Sequence, residues 1–160
     1  MAADHPRFLY DLDNCPIRDA IEVLGEKWTL LVVREAVYGL RRFDDFARAL
    51  GCGRGVLSER LKTLVEAGVL ARKDYSSPGQ RRRAEYLLTD KGRDLYPVIL
   101  ALSQWSERWR PQAQGPVASV THRGSGRAVR VVMTSDPDAE GLTLGDIRIA
   151  PGPGAKRAPR

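Results

Sequence analysis

The stretch from Arg42 to Leu70 constrains this chain more than any other. Phe43, Phe46, Ala47 and Leu50 recur at helical spacing. Gly51-Cys52-Gly53 interrupts them, and Leu57, Leu61, Leu64 and Val65 then resume the same period. Two short amphipathic helices joined by a tight glycine turn are predicted, and the second runs past Gly68, a helix C-cap, into the apolar start of a strand at Val69. That is the layout of a helix-turn-helix followed by a wing, whose second helix is shaped for the major groove of DNA.

The segments on either side agree with this layout. Asn14-Cys15-Pro16 opens a helix, with proline in the first turn where its missing N–H costs nothing. Ile17, Ala20, Ile21 and Leu24 form its apolar stripe, and Gly25 ends it. Residues 27–38 are apolar nearly all round, as a central buried helix requires. Residues 69–75 and 82–88 read as two strands around the Pro78-Gly79 turn. Thr89 is a good N-cap for a helix from Asp90 to about Trp109, which Pro97 should kink or break in its first turn. The chain thus divides into an N-terminal arm (1–13), a winged helix-turn-helix (14–110), a linker (111–116), a small extension (117–150) and a Pro/Gly-rich tail (151–160) expected to be disordered. Within the extension, residues 117–120, 128–133 and 142–149 read as short strands.

Charge supports a polyanionic partner. The 160 residues carry a net charge of +6, and residues 54–93 hold ten Lys/Arg against five Asp/Glu. No stretch of about 18 apolar residues occurs, and the first residues lack a secretory pattern, so a cytoplasmic protein is expected. Cys15 and Cys52 have no metal spacing. No Ser/His/Asp order, phosphate-binding glycine loop or paired carboxylates are visible, and the chain is read as not an enzyme and as needing no cofactor.

Several ordered segments resemble the HxlR-type winged-helix transcriptional regulators, relatives of the MarR group. They are Cys15-Pro16-Ile17, Gly25-Glu26-Lys27-Trp28-Thr29-Leu30-Leu31, Arg41-Arg42-Phe43, Leu57-Ser58-Glu59-Arg60-Leu61, Gly68-Val69-Leu70, Glu85-Tyr86-Leu87-Leu88-Thr89 and Gly92. The resemblance spans roughly residues 14–109. It implies a mainly α fold with a small β-wing, dimerised through its terminal helices, and a DNA-binding repressor or activator of bacterial type. By the same resemblance Arg54, Gly55, Ser58, Glu59 and Lys62 would face the groove. Arg41 and Arg42 would meet phosphate, and Arg81, Arg82 and Arg83 would be wing contacts. Some members also carry a C-terminal extension with cysteine pairs, resembling a zinc ribbon. Residues 122–126 and 151–155 look like its flanks, but residues 111–160 contain no cysteine, so no metal is expected.

Other readings stand beside these. Arg54, Ser58 and Lys62 could be an ordinary solvated helix face. Glu59 could accept from cytosine, or pair with Lys62 or Arg60. Leu95, Ile99, Leu102, Trp105 and Trp109 are dimer-interface candidates, with Val98 on the same stripe. Trp28, Trp105 and Trp109 could instead line a box for a small apolar effector. Cys15 precedes a helix N-terminus, where the dipole favours a reactive thiolate. Several members of the resembled family sense oxidants with a cysteine at this position, and Cys52 could be its partner across a dimer. The rivals to a homodimeric regulator on a pseudo-palindromic operator are thus a thiol-based sensor using Cys15 and a winged-helix interaction module without DNA binding.

Overall fold

A computed structural model describes residues 11–75 and 83–156. Helix α1 (Pro16–Leu24) begins on its proline and closes where the Gly25 N–H donates to the Ile21 carbonyl at 2.6 Å. Helix α2 (Lys27–Val37) follows. Helices α3 (Phe43–Leu50) and α4 (Arg54–Glu66) are joined by Gly51-Cys52-Gly53. Gly51 lies at φ +65°, the left-handed region in which a side chain would be strained, and this lets the chain reverse at once. Strands β1 (Leu70–Tyr75) and β2 (Arg83–Leu88) pair antiparallel, with Leu70 opposite Leu88 and Tyr75 opposite Arg83. The architecture is the mainly helical fold with a small antiparallel wing that the sequence implies.

The core forms where the helical stripes meet. Val32, Val33 and Ala36 of α2, Phe46 of α3 and Leu57, Leu61 and Leu64 of α4 are all buried, together with Val69 and Leu70 leading into the wing. Burying such a side chain fully contributes about 1.5–3 kcal/mol, so the stripes dictate which face of each helix turns inward.

The end of α4 is stapled to the next helix. Thr89 caps α5 (Asp90–Arg93): its hydroxyl accepts the Gly92 N–H at 3.1 Å and donates to the Gly68 carbonyl at 2.7 Å. Lys91 Nζ donates to the Ala67 carbonyl at 2.8 Å. The carbonyls of Ala67 and Gly68, in the turn just past α4, thereby find partners.

The single helix expected from Asp90 to Trp109 is two. Asp94 closes α5, and α6 (Tyr96–Trp109) restarts with Pro97 in its first turn, where a proline is tolerated. Beyond it, strand β3 (Ala118–His122) pairs antiparallel with β4 (Ile147–Pro151). The extension packs on the winged helix, because Ile147 is buried with Tyr96 and Leu100 of α6.

Three expectations for the extension are corrected. Residues 128–133 form no strand, and only Ala128 bridges to Thr121. The Val129 N–H still donates to the Val120 carbonyl of β3 at 3.0 Å, and from there the side chain of Gln104 takes over: its Nε2 donates to the Val129 carbonyl at 3.4 Å and its Oε1 accepts the Val131 N–H at 3.1 Å. The segment expected as a strand over 142–149 begins as a 3-10 turn (Leu144–Asp146), because Thr143 and Asp146 cap it reciprocally. Those bonds hold the Asp146 carboxyl below its ordinary range. The tail is ordered as far as the structure describes it. Gly152 and Gly154 donate to the carbonyls of Val117 at 2.9 Å and Pro116 at 3.0 Å, a closeness open to residues without a Cβ. Residues 1–10 of the arm and 157–160 of the tail lie outside the described residues.

Gly92 and Gly55 make a paired test of this packing. A Cβ at Gly92 would press on the Val69 carbonyl and stand 2.9 Å from Leu88 Cδ2, whereas one at Gly55 would meet nothing. In urea unfolding, Gly92→Ala is expected to lose about 1–3 kcal/mol through overpacking, and Gly55→Ala to lose none.

Candidate nucleic-acid interface

With Leu57, Leu61 and Leu64 committed to the core, the opposite face of α4 must point outward. Arg54, Gly55, Ser58, Glu59 and Lys62 are all exposed. Arg54, Ser58 and Lys62, four residues apart, form one row along the helix. The fold does not require a glycine at position 55, since the space beside it is open. Its bare backbone leaves room for another surface to come close.

Arg54 is held from two sides by the start of α3. Its Nη1 and Nη2 both lie 3.0 Å from Asp44 Oδ1, and its guanidinium stands 4.7 Å from the centroid of the Phe43 ring. Both members of the ion pair are largely exposed, and such pairs contribute about 0–1 kcal/mol, so Arg54 can exchange Asp44 for another acceptor at little cost. Lys62 Nζ is 3.7 Å from Glu66 Oε1. Among the partners open to Glu59, the structure gives it Arg60, at 3.4 Å. Arg60 is mostly covered and also reaches Glu26 at 3.6 Å, so it ties α4 to the turn before α2.

The wing is joined to the helix-turn-helix through Arg41 and Arg42. The Arg41 carbonyl accepts the Tyr86 N–H at 2.8 Å. Arg42 forms a β-bridge with Glu85, and its Nε lies 3.7 Å from Glu85 Oε1. Both arginines are exposed at the head of α3. Arg83, exposed, is two residues before Glu85 on β2. Two ion pairs therefore leave the head of α3, Arg42 to Glu85 of the wing and Asp44 to Arg54 of α4. Arg81 and Arg82 lie outside the described residues. Sequence reasoning did not single out Asp44 or Glu85 for this site. Asp44 is ten residues from its partner and Glu85 more than forty from Arg42, and no local spacing signals either pair.

The dimer-interface candidates divide. Leu95 and Ile99 pack against the core of their own chain. Leu102, Trp105 and Trp109 stand exposed on α6 beside Val98, and Ile17 and Ile21 are exposed on α1. Trp28 is half-buried on α2 with Lys27 Nζ 4.5 Å over its ring, whereas Trp105 and Trp109 face outward. Cys15 is the N-cap residue of α1, and Cys52 sits in the turn before α4 against the core. Both thiols are free and half-buried.

The extension does not fit a zinc ribbon. In place of cysteine pairs, β3 ends on His122, whose Nδ1 accepts the Ser125 N–H of the following turn at 3.1 Å and lies 2.9 Å from the Ser125 hydroxyl. A structural zinc site is built from thiolates and free imidazole nitrogens. Here no thiol is present, and the Nδ1 of the imidazole is engaged by its own turn.

An outward, cation-bearing helix after a tight turn, with a two-stranded hairpin beyond it, defines a winged helix-turn-helix DNA-binding domain. The profile of the HxlR-like helix-turn-helix family matches residues 23–114, and the chain belongs to that family of transcriptional regulators. It is similar to the HTH-type transcriptional regulator Rv3095 of Mycobacterium tuberculosis, with 42% identity over 137 residues, 86% of this chain and 85% of that protein. It is also similar to the HTH-type regulator YvaP of Bacillus subtilis, with 39% identity over 99 residues, 61% of this chain and 90% of YvaP. Among solved structures, PA1607, a candidate transcription factor, superposes with a TM-score of 0.69 at 34% identity, covering 87% of this chain and 96% of PA1607. The redox regulator HypR in its reduced form superposes with a TM-score of 0.54 at 29% identity, covering 59% of this chain and 93% of HypR. The described residues contain no helix long and apolar enough to cross a membrane.

Asp44 both holds Arg54 and adds a negative charge beside the exposed cations of α4. Asp44→Asn is expected to raise affinity for duplex DNA severalfold in fluorescence anisotropy, with stability within about 0.5 kcal/mol of the parent. A fall in affinity would instead make Asp44 the group that aims Arg54.

Proposed function

We propose that this chain is a homodimeric repressor that reads a pseudo-palindromic operator with two α4 helices. The exposed row of Arg54, Ser58 and Lys62 carries the reading, supported by Arg41 and Arg42, which are exposed where the wing joins the head of α3. Arg54 is the base-reading candidate, because a guanidinium can bond guanine O6 and N7 together. Arg41, Arg42 and the arginines of the wing, 81 to 83, serve as phosphate contacts, which position the protein without selecting sequence. A dimer seated on a promoter represses by occupancy alone, since polymerase cannot share the site.

The exposed apolar side chains of α1 and of α6 support the dimer. Ile17, Ile21, Val98, Leu102, Trp105 and Trp109 are each roughly half to two-thirds exposed. Large apolar side chains gathered on two terminal helices are what an obligate interface buries. A two-fold axis through this face would space the α4 helices about one DNA turn apart, roughly 34–36 Å.

Footprinting on genomic fragments at about 0.15 M salt tests the reading. The parent is expected to protect a pseudo-palindrome. Arg54→Ala should cost about 1–3 kcal/mol and relax the sequence preference, whereas Arg83→Ala should weaken all sequences alike and lower the salt slope by about one. Absence of a protected site would end the operator reading.

The interface is tested separately by Trp105→Asp, on an exposed position where the monomer fold is not at stake. Sedimentation velocity is expected to show a dimer for the parent and a monomer for the variant, which would also lose cooperative binding to the two half-sites. A parent that sediments as a monomer would refute it.

A further inference from the structure

We infer that the recess between the end of α2 and the β3–β4 sheet binds a small amphipathic carboxylate, one anionic head on a compact apolar body. The recess encloses about 630 Å³, within the range of small-molecule sites. Val37, Val117 and Ile149 are among its apolar walls. Its charged lining consists of two arginines, Arg123 and Arg148, with no aspartate or glutamate among the lining residues.

The two cations are placed to receive a head group. Arg123 is anchored twice to the turn before β4: its backbone N–H donates to the Asp146 carbonyl at 2.7 Å and its Nε to the Gly145 carbonyl at 3.0 Å. Its terminal nitrogens are left to project from a fixed base, and an anchored guanidinium loses little freedom on binding. Asp146, two residues before Arg148, is taken up by Thr143, whose N–H and hydroxyl reach its Oδ2 at 2.8 and 2.6 Å. Arg148 is exposed at the rim. Tyr38 adds a neutral donor, since a phenol is protonated at neutral pH, and partial burial pushes its value further up. Guanidinium groups beside apolar walls favour a carboxylate with an apolar body over a fully hydrated anion. Duplex DNA, whose phosphates lie on a convex surface, cannot fill an apolar recess.

The recess touches two parts of the proposed regulator. Tyr38 ends α2, and only Gly39 (φ +96°) and Leu40 separate it from Arg41. Ile147, also in the lining, packs on Tyr96 and Leu100 of α6. The binding site stands without the DNA reading, whereas any effect of the ligand on DNA rests on it.

Isothermal calorimetry on the full chain without DNA tests the site, with naphthoate as the probe and naphthamide as its uncharged counterpart. Naphthoate is expected to bind one per chain. Naphthamide on the parent, and naphthoate on Arg148→Ala, should each bind at least about tenfold more weakly, the effect of one charge-assisted contact. Val117→Trp, on an exposed wall position, should block binding by filling the recess, with circular dichroism confirming both folds. Equal binding of acid and amide, unchanged binding to Arg148→Ala, or no heat at millimolar naphthoate would each overturn the site. So would an Arg148→Ala variant that loses DNA affinity while the parent ignores naphthoate, since the cation would then serve phosphate. Should the parent bind no DNA at all, the calorimetry decides the site by itself.

Discussion

Val32, Val33 and Ala36 of α2 pack against Leu57, Leu61 and Leu64 of α4, and this contact determines where the outward face of α4 points. It is an apolar contact with no hydrogen bond to choose a direction. The direction comes from the spacing of the leucines, which lie along one stripe and leave a single rotation of α4 that buries them all. Arg54, Ser58 and Lys62 are outward for the same reason that Leu57 and Leu61 are inward. Rotating the helix by one residue, about 100°, would bury a cation and expose a leucine, a change of several kcal/mol in the wrong direction. The orientation of the candidate interface is therefore a property of the core.

The charged groups around this face fall into two kinds that burial separates. Arg60 is mostly covered and reaches both Glu26 and Glu59, so its charge is spent holding α4 to the turn before α2. Arg54, paired with Asp44, and Lys62, paired with Glu66, are exposed, and their partners are no better for them than water. A phosphate or a base edge can displace such partners with little penalty. The excess of cations in residues 54–93 then works as a long-range attraction, while the apolar contact beneath holds the row in register.

The helices and their turn were legible because each rests on local spacing: apolar residues every three or four positions, Gly51 where the chain reverses, Thr89 where a helix starts. The ordered motifs tied them to a family. The pairs Asp44–Arg54 and Glu85–Arg42 were not legible, since their members are brought together by helix packing and by the wing. The extension was misread for a related reason. Residues 128–133 have the composition of a strand, but their pairing with β3 stops at Val129, and the side chain of Gln104, more than twenty residues earlier, takes up the Val129 carbonyl and the Val131 N–H. The Pro/Gly pattern after Pro151 suggested disorder, whereas two of its glycines are what allow the chain to lie against Pro116 and Val117. Of the five residues offered for the dimer face, the helical stripe could not separate Leu95 and Ile99, which its own core claims, from the three that remain uncovered.

Helix α6 is where these parts meet. Leu95 and Ile99 seat it on the winged-helix core, Tyr96 and Leu100 receive the extension through Ile147, and Leu102, Trp105 and Trp109 are left bare. A closely packed helix transmits displacement as a rigid rod and bends little. In a dimer formed through its bare face, a change in how the extension sits on Tyr96 would therefore tilt α6 against its partner and carry α2 and α4 with it. The spacing of two α4 helices must match the pitch of DNA, and a tilt of a few degrees about a distant axis displaces each helix tip by a distance comparable to a hydrogen-bond length. In such a dimer the extension would need no contact with DNA to bear on binding, because it shares one helix with the face that would set the half-site spacing.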